Sequence, residues 1–264
     1  MTSPIQDNTK QYGDSRKLAA RARLNSRYTI AETGWFPWVG QHLPWRAGAR
    51  ILDIGAGPGW FWAAIAGECP PDLHLTLSDL SPGMVEEAVQ RCTPLGFASV
   101  QGRQADASAL PFDDGCFDGV LAMHMLYHLP APDQAIAEMF RVLKPGGFLA
   151  VTTNGEGNMR RMHELAAVFG GTPYDPAAAI FGYDAAERLL RQRFGNVRFQ
   201  AYPARMRITE PQDVFDALTS YPPGDSADEA QLAALHDAIA AAFQTGGGVL
   251  EVARETGLFL CIKT

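Results

Sequence analysis

Residues 51–59, which read ILDIGAGPG, decide the fold of this chain. An apolar run over residues 51–54 leads directly into three alternating glycines, Gly55, Gly57 and Gly59. Glycine is needed where the backbone turns tightly or lies against a ligand with no Cβ in the way. At the carboxyl end of the first strand of a doubly wound sheet, that ligand is usually nucleotide-like. The stretch therefore predicts a buried strand followed by a nucleotide-binding turn.

The spacing of these glycines distinguishes between classes of nucleotide. The dinucleotide fingerprint GxGxxG would require a third glycine where Trp60 stands. The pattern here is GxGxG, which fits NAD poorly. The chain also lacks a Tyr-x-x-x-Lys type pair, so an NAD-dependent dehydrogenase is disfavoured.

Apolar runs alternate with helical stretches on the carboxyl side of this turn. Runs that are apolar throughout and alternate with helices predict a mostly parallel sheet covered by helices on both faces. The chain is thus expected to adopt a Rossmann-like, doubly wound α/β fold. The predicted strands are Arg50–Ile54, His74–Ser78, Ser99–Gln104, Phe117–Met123, Phe148–Thr153, Asn196–Ala201 and Leu258–Ile262. The predicted helices between the first five are Trp60–Glu68, Pro82–Thr93 and Pro132–Leu143.

Two segments fall outside this alternation. Residues 1–48 are expected to form an N-terminal helical segment, with helices over Asp14–Tyr28 and Thr33–Leu43. The main domain then covers residues 49–264. It contains a largely helical insertion over about residues 205–250.

Length and charge narrow the range of functions. A chain of 264 residues can bury one substantial core, so a single domain with elaborations is expected. The net charge of −7 and the absence of a long basic run disfavour nucleic acid as substrate. No apolar signal core or membrane-spanning stretch is found, and the four cysteines are scattered without metal-ligand spacing. We therefore expect a soluble cytoplasmic protein without a metal site.

Two acidic residues follow the next strands at informative positions. Asp79 ends the second strand, at about the distance where a ribose-binding carboxylate is expected. The alternative role for Asp79 is to cap the following helix, although Ser81 is better suited to that role. Asp106 lies just past the third strand, where a carboxylate could accept a hydrogen bond from an adenine amino group.

Taken together, the ordered motifs resemble the class I S-adenosylmethionine-dependent methyltransferases. The similar branch is the group typified by ubiquinone/menaquinone methyltransferases and many antibiotic-tailoring enzymes. The resemblance covers about residues 48–155. It rests on LDIGAGPG at 52–59, DLSPGM at 79–84, DA at 106–107, LPF at 110–112 with FD at 117–118, and RVLKPGG at 141–147.

This resemblance implies a role for each matching position. The glycine turn would face the methionine and ribose parts of the cofactor, Asp79 would bind the ribose hydroxyls, and residues after the third and fourth strands would meet adenine and the sulfonium. The cofactor-binding residues implied in this way are Gly55, Ala56, Gly57, Asp79, Leu80, Met84, Asp106, Ala107 and Met123.

Methyl transfer from a sulfonium is an in-line displacement, so alignment and exclusion of water are the main requirements. A base is needed only for an acceptor that must lose a proton. His124 is the first candidate for that base, although it could contact only the cofactor. Tyr127 and Tyr28 are alternatives, and His128 resembles a structural histidine of the family.

The sequence thus predicts transfer of a methyl group to an N, O or C atom of a small-molecule metabolite, and the resemblance to antibiotic-tailoring enzymes makes natural-product biosynthesis one setting for it. The resemblance implies that the N-terminal helix acts as a lid and that the insertion covers the substrate. The oligomeric state stays open between monomer and homodimer. Two alternatives also stay open, an S-adenosylmethionine-binding protein without transferase activity and a quinone-type C-methyltransferase.

Overall fold

The computed structural model describes residues 24–220 and 223–264. These residues form one large sheet of seven strands and one small sheet of three strands. The strands in chain order are β1 (Thr29–Ile30), β2 (Arg50–Ile54), β3 (His74–Asp79), β4 (Ser99–Gln104), β5 (Phe117–Met123), β6 (Leu143–Asn154), β7 (Asn196–Ala201), β8 (Arg205–Ile208), β9 (Leu250–Ala253) and β10 (Thr256–Ile262).

The large sheet has the strand order β4-β3-β2-β5-β6-β10-β7. Strands β2 to β6 pair in parallel, and β10 is antiparallel to both β6 and β7. The order reverses between β2 and β5, so the carboxyl ends of these two strands border the crevice in which open α/β sheets bind ligands. This topology confirms the predicted Rossmann-like, mostly parallel seven-stranded sheet.

Helices cover both faces of the large sheet because its strands are apolar on both sides. Ile51 and Leu52 are neighbours in β2, yet they belong to two different buried clusters, since successive side chains of a strand point to opposite faces. The helices are Trp35–Gln41, Trp60–Ile65, Pro82–Cys92, Pro132–Val142, Arg160–Ala166, Pro176–Phe181, Tyr183–Phe194, Pro211–Thr219 and Glu229–Thr245, and residues 24–28 are also helical.

Most predicted boundaries agree with the structure to within three residues. The largest difference in the sheet is at β6, which was expected to begin at Phe148 and begins at Leu143. The stretch from Lys144 to Gly147 lies in a register shift between the pairs Phe117–Leu143 and Gly119–Phe148 of β5 and β6. Lys144 Nζ lies 2.8 and 2.9 Å from the two carboxylate oxygens of Asp118, which fixes this irregular entry to the strand.

The small antiparallel sheet β1-β8-β9 was not predicted. Its strand Arg205–Ile208 lies at the start of the insertion expected to be helical. Met206 and Ile208 are completely buried in a third apolar cluster, while Arg205 and Arg207 are exposed. Four residues that alternate between exposed and buried form too short a pattern to predict a strand. Strand β8 therefore depends on pairing with its neighbours β1 and β9.

The end of the predicted N-terminal helix packs against this third cluster. Leu24 and Tyr28 are buried in it, and Arg27 and Tyr28 both donate hydrogen bonds to Asp213 Oδ2 of the helix Pro211–Thr219. Residues 14–23 of the predicted helix lie outside the described residues. The contacts of residues 24–28 therefore fasten the end of the predicted N-terminal helix to the insertion.

Within residues 24–220 and 223–264, no helix combines the length and the apolar character required to cross a membrane.

Candidate functional site

The glycine turn after β2 presents bare main chain to open space at one position. Gly55, Gly57 and Gly59 all have positive φ angles, of 69°, 52° and 75°. A Cβ on Gly55 would lie 2.8 Å from Met125 Cβ, and one on Gly59 would lie 3.1 Å from Ala88 Cα. A Cβ on Gly57 would meet nothing within 4 Å. The first and third glycines thus allow close packing, whereas Gly57 faces the crevice.

Asp79 at the end of β3 is tied to this turn. Its Oδ2 accepts a hydrogen bond from Gly57 N at 3.1 Å, and its Oδ1 accepts one from Ser81 N at 2.9 Å. Burial raises the pKa of Asp79, and the three backbone N–H groups of Ser81, Gly57 and Leu80 oppose that rise. A carboxylate has about four lone-pair sites, so both oxygens retain capacity to accept further hydrogen bonds. The helix Pro82–Cys92 is capped by Ser81 Oγ, which accepts from Met84 N at 3.4 Å, so Asp79 is free of that role.

Asp53 stands behind the turn, in the strand itself. It is 2% exposed, and its Oδ2 accepts a hydrogen bond from Trp62 Nε1 at 2.9 Å. Desolvation raises the pKa of Asp53 to about 7, against the lowering effect of the Trp62 hydrogen bond. The bond joins β2 to the helix Trp60–Ile65 across the turn, so Asp53 orders the loop.

The residues implied for the adenine side surround the ends of β3 and β4. Leu80 is 66% exposed, whereas Met84 is 1% exposed, so Leu80 offers far more surface to a ligand. Asp106 is exposed, and its Oδ1 accepts from Ser108 N at 2.8 Å. Ala107 has a buried side chain and can contribute to a ligand site mainly through its backbone.

His124 follows Met123 at the end of β5 and has a backbone conformation that is rare outside glycine. Its φ is 52°, and its N–H lies 3.1 Å from both the carbonyl oxygen and Oγ1 of Thr152. Its Nε2 lies 3.3 Å from Oγ1 of Thr256. Desolvation, together with the positive charge of Arg254, lowers the pKa of His124 to about 4. The imidazole is therefore neutral at pH 7, and it is a weak base in the surroundings that the structure shows.

The other two candidate bases differ in their surroundings. The Tyr127 ring centroid lies 6.3 Å from that of His124, and its side chain packs against the core on one face of the sheet. Tyr28 donates its hydroxyl hydrogen bond to Asp213, and desolvation together with that bond raises its pKa to about 12. Tyr127 therefore lies beside His124, whereas Tyr28 is poorly suited to accept a proton.

An aromatic wall borders His124. The Trp35 ring centroid lies 5.5 Å from that of His124 and 5.1 Å from that of Tyr202. Trp35 is partly exposed, so its ring contributes surface as well as packing.

Sequence reasoning missed the groups that precede and begin β10. Because β10 is antiparallel to β6, its first residue, Thr256, lies beside Asn154 at the carboxyl edge of the sheet. Arg254, two residues earlier, lies at the same edge and influences the pKa of His124. A lone arginine between strands β9 and β10 has no local motif, so no signal in the sequence marks it.

A family model described as a methyltransferase domain matches residues 52–151. The demethylmenaquinone methyltransferase of Clavibacter sepedonicus is 40% identical to this chain over 105 residues, which are 40% of this chain and 41% of that protein. A ubiquinone/menaquinone biosynthesis C-methyltransferase of Ectopseudomonas oleovorans is 36% identical over 126 residues, which are 47% of this chain and 68% of that protein. The chain thus spans less than half the length of the first of these relatives and about two thirds of the second.

A solved structure extends the likeness beyond the matched segment. Phosphoethanolamine N-methyltransferase 2 of Haemonchus contortus, in complex with S-adenosyl-L-methionine, matches with a TM-score of 0.61 at 19% identity. The match covers 100% of this chain and 60% of that protein. At this level of identity the likeness concerns the fold alone.

Proposed function

This chain belongs to the class I S-adenosylmethionine-dependent methyltransferases of the ubiquinone/menaquinone type, and we propose that it transfers a methyl group from S-adenosylmethionine to an N, O or C atom of a small-molecule metabolite. When bound, the cofactor supplies an electrophilic methyl group and leaves as the neutral thioether S-adenosylhomocysteine. What the chain has to provide is a place for the nucleoside, alignment of the acceptor and a route for the acceptor's proton.

The main observation behind the proposal concerns Gly57 and Asp79. The main chain of Gly57 is open to the crevice, and its N–H donates a hydrogen bond to the Asp79 carboxylate. The space that a Cβ would fill at Gly57 is clear of protein atoms to 4 Å, so a ligand can lie flush against the backbone. Asp79 is held at 3.1 Å from Gly57 N and can accept from two vicinal hydroxyls beside that space. These groups fit an adenosyl ligand.

The residues at the carboxyl end of β5 suit a methyl acceptor. His124 is neutral at pH 7, so its unprotonated ring nitrogen can accept the proton that a hydroxyl or carbon acceptor loses as the methyl group is transferred. Trp35 offers a ring beside it, against which a planar acceptor could stack. In this proposal, His124 is the catalytic base and Tyr127 lines the site beside it.

The N-terminal segment, residues 1–48, is proposed to act as a lid, supported by the hydrogen bonds of Arg27 and Tyr28 to Asp213 of the insertion. The insertion, about residues 205–250, then covers the acceptor. We further propose that the protein acts in the cytoplasm, as a monomer or homodimer, on metabolites and not on nucleic acid. Sedimentation analysis of the full chain tests the oligomeric state.

The test is transfer of a labelled methyl group. The protein is incubated with S-adenosylmethionine labelled in the methyl group and with panels of phenols, amines and carbon acids, and products are identified by mass spectrometry. We expect a methylated product from at least one class, and loss of that product with His124→Asn. Binding of S-adenosylhomocysteine with no product from any panel would favour the alternative of a binding protein without transferase activity.

Quinone C-methylation is the second candidate, because the relatives from Clavibacter sepedonicus and Ectopseudomonas oleovorans are named for demethylmenaquinone and for ubiquinone/menaquinone biosynthesis. A demethylated menaquinol analogue in the carbon-acid panel separates this candidate from the rest. Methylation of the ring carbon of that analogue in preference to the phenols and amines would favour it.

A further inference from the structure

Arg254 lies at the acceptor side of the crevice with part of its guanidinium unpaired. Its Nη1 donates to Asn25 Oδ1 at 2.7 Å and lies 3.5 Å from Met159 Sδ. Its Nε is buried and has no hydrogen-bond partner among the described residues. Leaving a buried donor unsatisfied costs free energy, and more so for a charged group. The Nε side of this guanidinium is therefore prepared for an acceptor that the described protein does not supply.

The acidic side chains near Arg254 are committed to other groups. Glu255 Oε2 accepts from Gly157 N at 2.8 Å, and the Glu255 backbone bonds the same loop. Asp175 accepts from the side-chain amides of Asn154 and Asn158 and from Ala177 N. Among the ion pairs of residues 24–220 and 223–264, none includes Arg254. The positive charge thus has no carboxylate within the part of the chain that the structure describes.

A second unpaired donor lies in the same neighbourhood. The hydroxyl of Tyr183 is buried and also has no hydrogen-bond partner among the residues described. Burial raises the pKa of Tyr183 and of Tyr202, and the positive charge of Arg254 opposes that rise. The residues that follow Arg254 in the chain contact the same groups: Thr256 Oγ1 lies 3.3 Å from His124 Nε2, and a Cβ on Gly155 would lie 2.6 Å from Glu255 Oε2 and 2.8 Å from Tyr183 Cε2. Two hydrogen-bond donors without acceptors and one unpaired positive charge therefore meet beside the candidate base.

From these contacts we propose that Arg254 binds an oxyanion of the methyl acceptor, so that the acceptor is a planar acid such as an aromatic carboxylic acid. This inference rests on the proposed methyl transfer for the identity of the bound molecule. The Tyr183 hydroxyl is the second donor to the same anionic group. Arg254 is then a specificity-determining residue and His124 the catalytic base beside it.

The geometry of a guanidinium favours a carboxylate in this position. With Nη1 held by Asn25, the edge formed by Nε and Nη2 is left for two parallel N–H···O bonds, the bidentate arrangement that arginine makes with carboxylate or phosphate. Trp35 supplies an aromatic ring on the other side of His124. The Arg254 guanidinium on one side of His124 and the Trp35 ring on the other match a ligand in which a carboxylate is attached to a planar ring.

The experiment compares acids with their neutral amides. Calorimetric titrations, with and without S-adenosylhomocysteine, use 2-hydroxybenzoate against 2-hydroxybenzamide, 1-naphthoate against 1-naphthamide, and phenyl phosphate as the phosphate arm. We expect the unmodified protein to bind at least one anion at least about tenfold more tightly than its neutral partner, the size of a charge-assisted hydrogen bond. Arg254→Gln should abolish this preference, and Arg254→Lys should retain only part of it.

Arg207→Gln is the matched control, because Arg207 lies on the neighbouring strand β8 in an exposed pair with Glu251. It should leave the preference unchanged, and thermal unfolding identifies any variant that fails to fold. If the unmodified protein shows no preference for any anion, or if Arg254→Gln retains it, the inference is overturned. Tighter binding of phenyl phosphate than of the carboxylates would identify the anion as a phosphate. Failure of S-adenosylhomocysteine to bind the unmodified protein would instead refute the proposed function, and the acid–amide comparison is measured independently of it.

Discussion

Asp53 is an acid that the fold surrounds with apolar side chains and one indole N–H. Its pKa is raised from 3.8 to about 7, so between these values the folded chain keeps a proton that the unfolded chain releases. The stability contributed in this way is complete below the unfolded pKa of 3.8. It is lost as the pH rises through about 7, because the folded state must then bury a charge.

Asp53→Asn should remove this dependence on pH, since asparagine stays neutral and its amide oxygen can still accept from Trp62. We expect the free energy of unfolding of the variant, relative to the unmodified protein, to increase from about pH 5 to about pH 8. Urea denaturation at several pH values measures this difference. A difference that stays constant over the range would contradict the account of Asp53.

His124 combines a left-handed backbone with a neutral side chain. Asparagine tolerates positive φ better than other non-glycine residues, so His124→Asn removes the imidazole with little cost to the backbone. As the proposed general base, His124 should contribute about a hundredfold to kcat, with the affinity for S-adenosylhomocysteine changed by less than about threefold. Steady-state kinetics on the acceptor found in the transfer assay measures both.

Tyr127→Phe is the comparison for this variant, because Tyr127 is the other proposed site residue and phenylalanine keeps its ring. The expected loss in kcat is much smaller than for His124→Asn. Equal kcat in His124→Asn and the unmodified protein would mean that the imidazole only contacts ligand.

The residues of the cofactor side could be predicted because each belongs to a short motif with its own physical reason. Gly57 follows an apolar run, and Asp79 ends the next one, so both positions are recognisable without the fold. Arg254 could not be predicted in this way. Its environment is set by Asn25 and Tyr183, which are distant in the chain and meet it only in the folded protein.

At the level of elements, the turn between β2 and the helix Trp60–Ile65 provides a controlled comparison. Gly57 and Gly48 both have positive φ angles, of 52° and 68°, and a Cβ on either would meet nothing within 4 Å. Gly48 lies in the turn before β2, at the opposite end of the strand. The two glycines therefore share a backbone cost of substitution and differ in whether they face the crevice.

Gly57→Ala and Gly48→Ala should destabilise the protein by similar amounts, about 1 kcal/mol each, because both place alanine in a left-handed conformation. Only Gly57→Ala should weaken the binding of S-adenosylhomocysteine, by at least about tenfold, since its methyl group would occupy the ligand's space. Thermal unfolding and calorimetry measure the two effects. Similar losses of affinity in both variants would mean that the effect comes from the backbone and not from the crevice.

The sequence predicts elements well where the pattern is long or strongly apolar. Strands β2 and β5 have the predicted bounds because each is a strongly apolar run. Strands β4 and β7 also have the predicted bounds although they are mostly polar, since each follows a helix in the sequence of elements. The small sheet is different, since β1 has two residues and β8 and β9 have four each. Such short strands are defined by their partners, so a single-sequence pattern does not reveal them.

Across the whole molecule, the order of the large sheet separates two functions. The ends of β4, β3 and β2 carry Asp106, Asp79 and the glycine turn, the proposed cofactor side. The edge formed by β5, β6 and β10 carries His124 and Arg254, the proposed acceptor side. The helical residues 24–28 touch the acceptor side through the hydrogen bond that Arg254 donates to Asn25. The cofactor side and the acceptor side therefore lie on either side of the point between β2 and β5 where the strand order reverses.

The most direct test of this account is a calorimetric titration of the unmodified chain, Asp79→Asn and Asp72→Asn with S-adenosylhomocysteine and with NAD. Asp72 precedes β3, so its exposed carboxylate lies at the opposite end of the strand from Asp79 and serves as the matched control. We predict that S-adenosylhomocysteine binds the unmodified chain and Asp72→Asn with equal affinity. It should bind Asp79→Asn at least about tenfold more weakly. NAD should give no measurable heat with any of the three proteins. Binding of NAD in place of S-adenosylhomocysteine, or an unchanged affinity in Asp79→Asn, would contradict it.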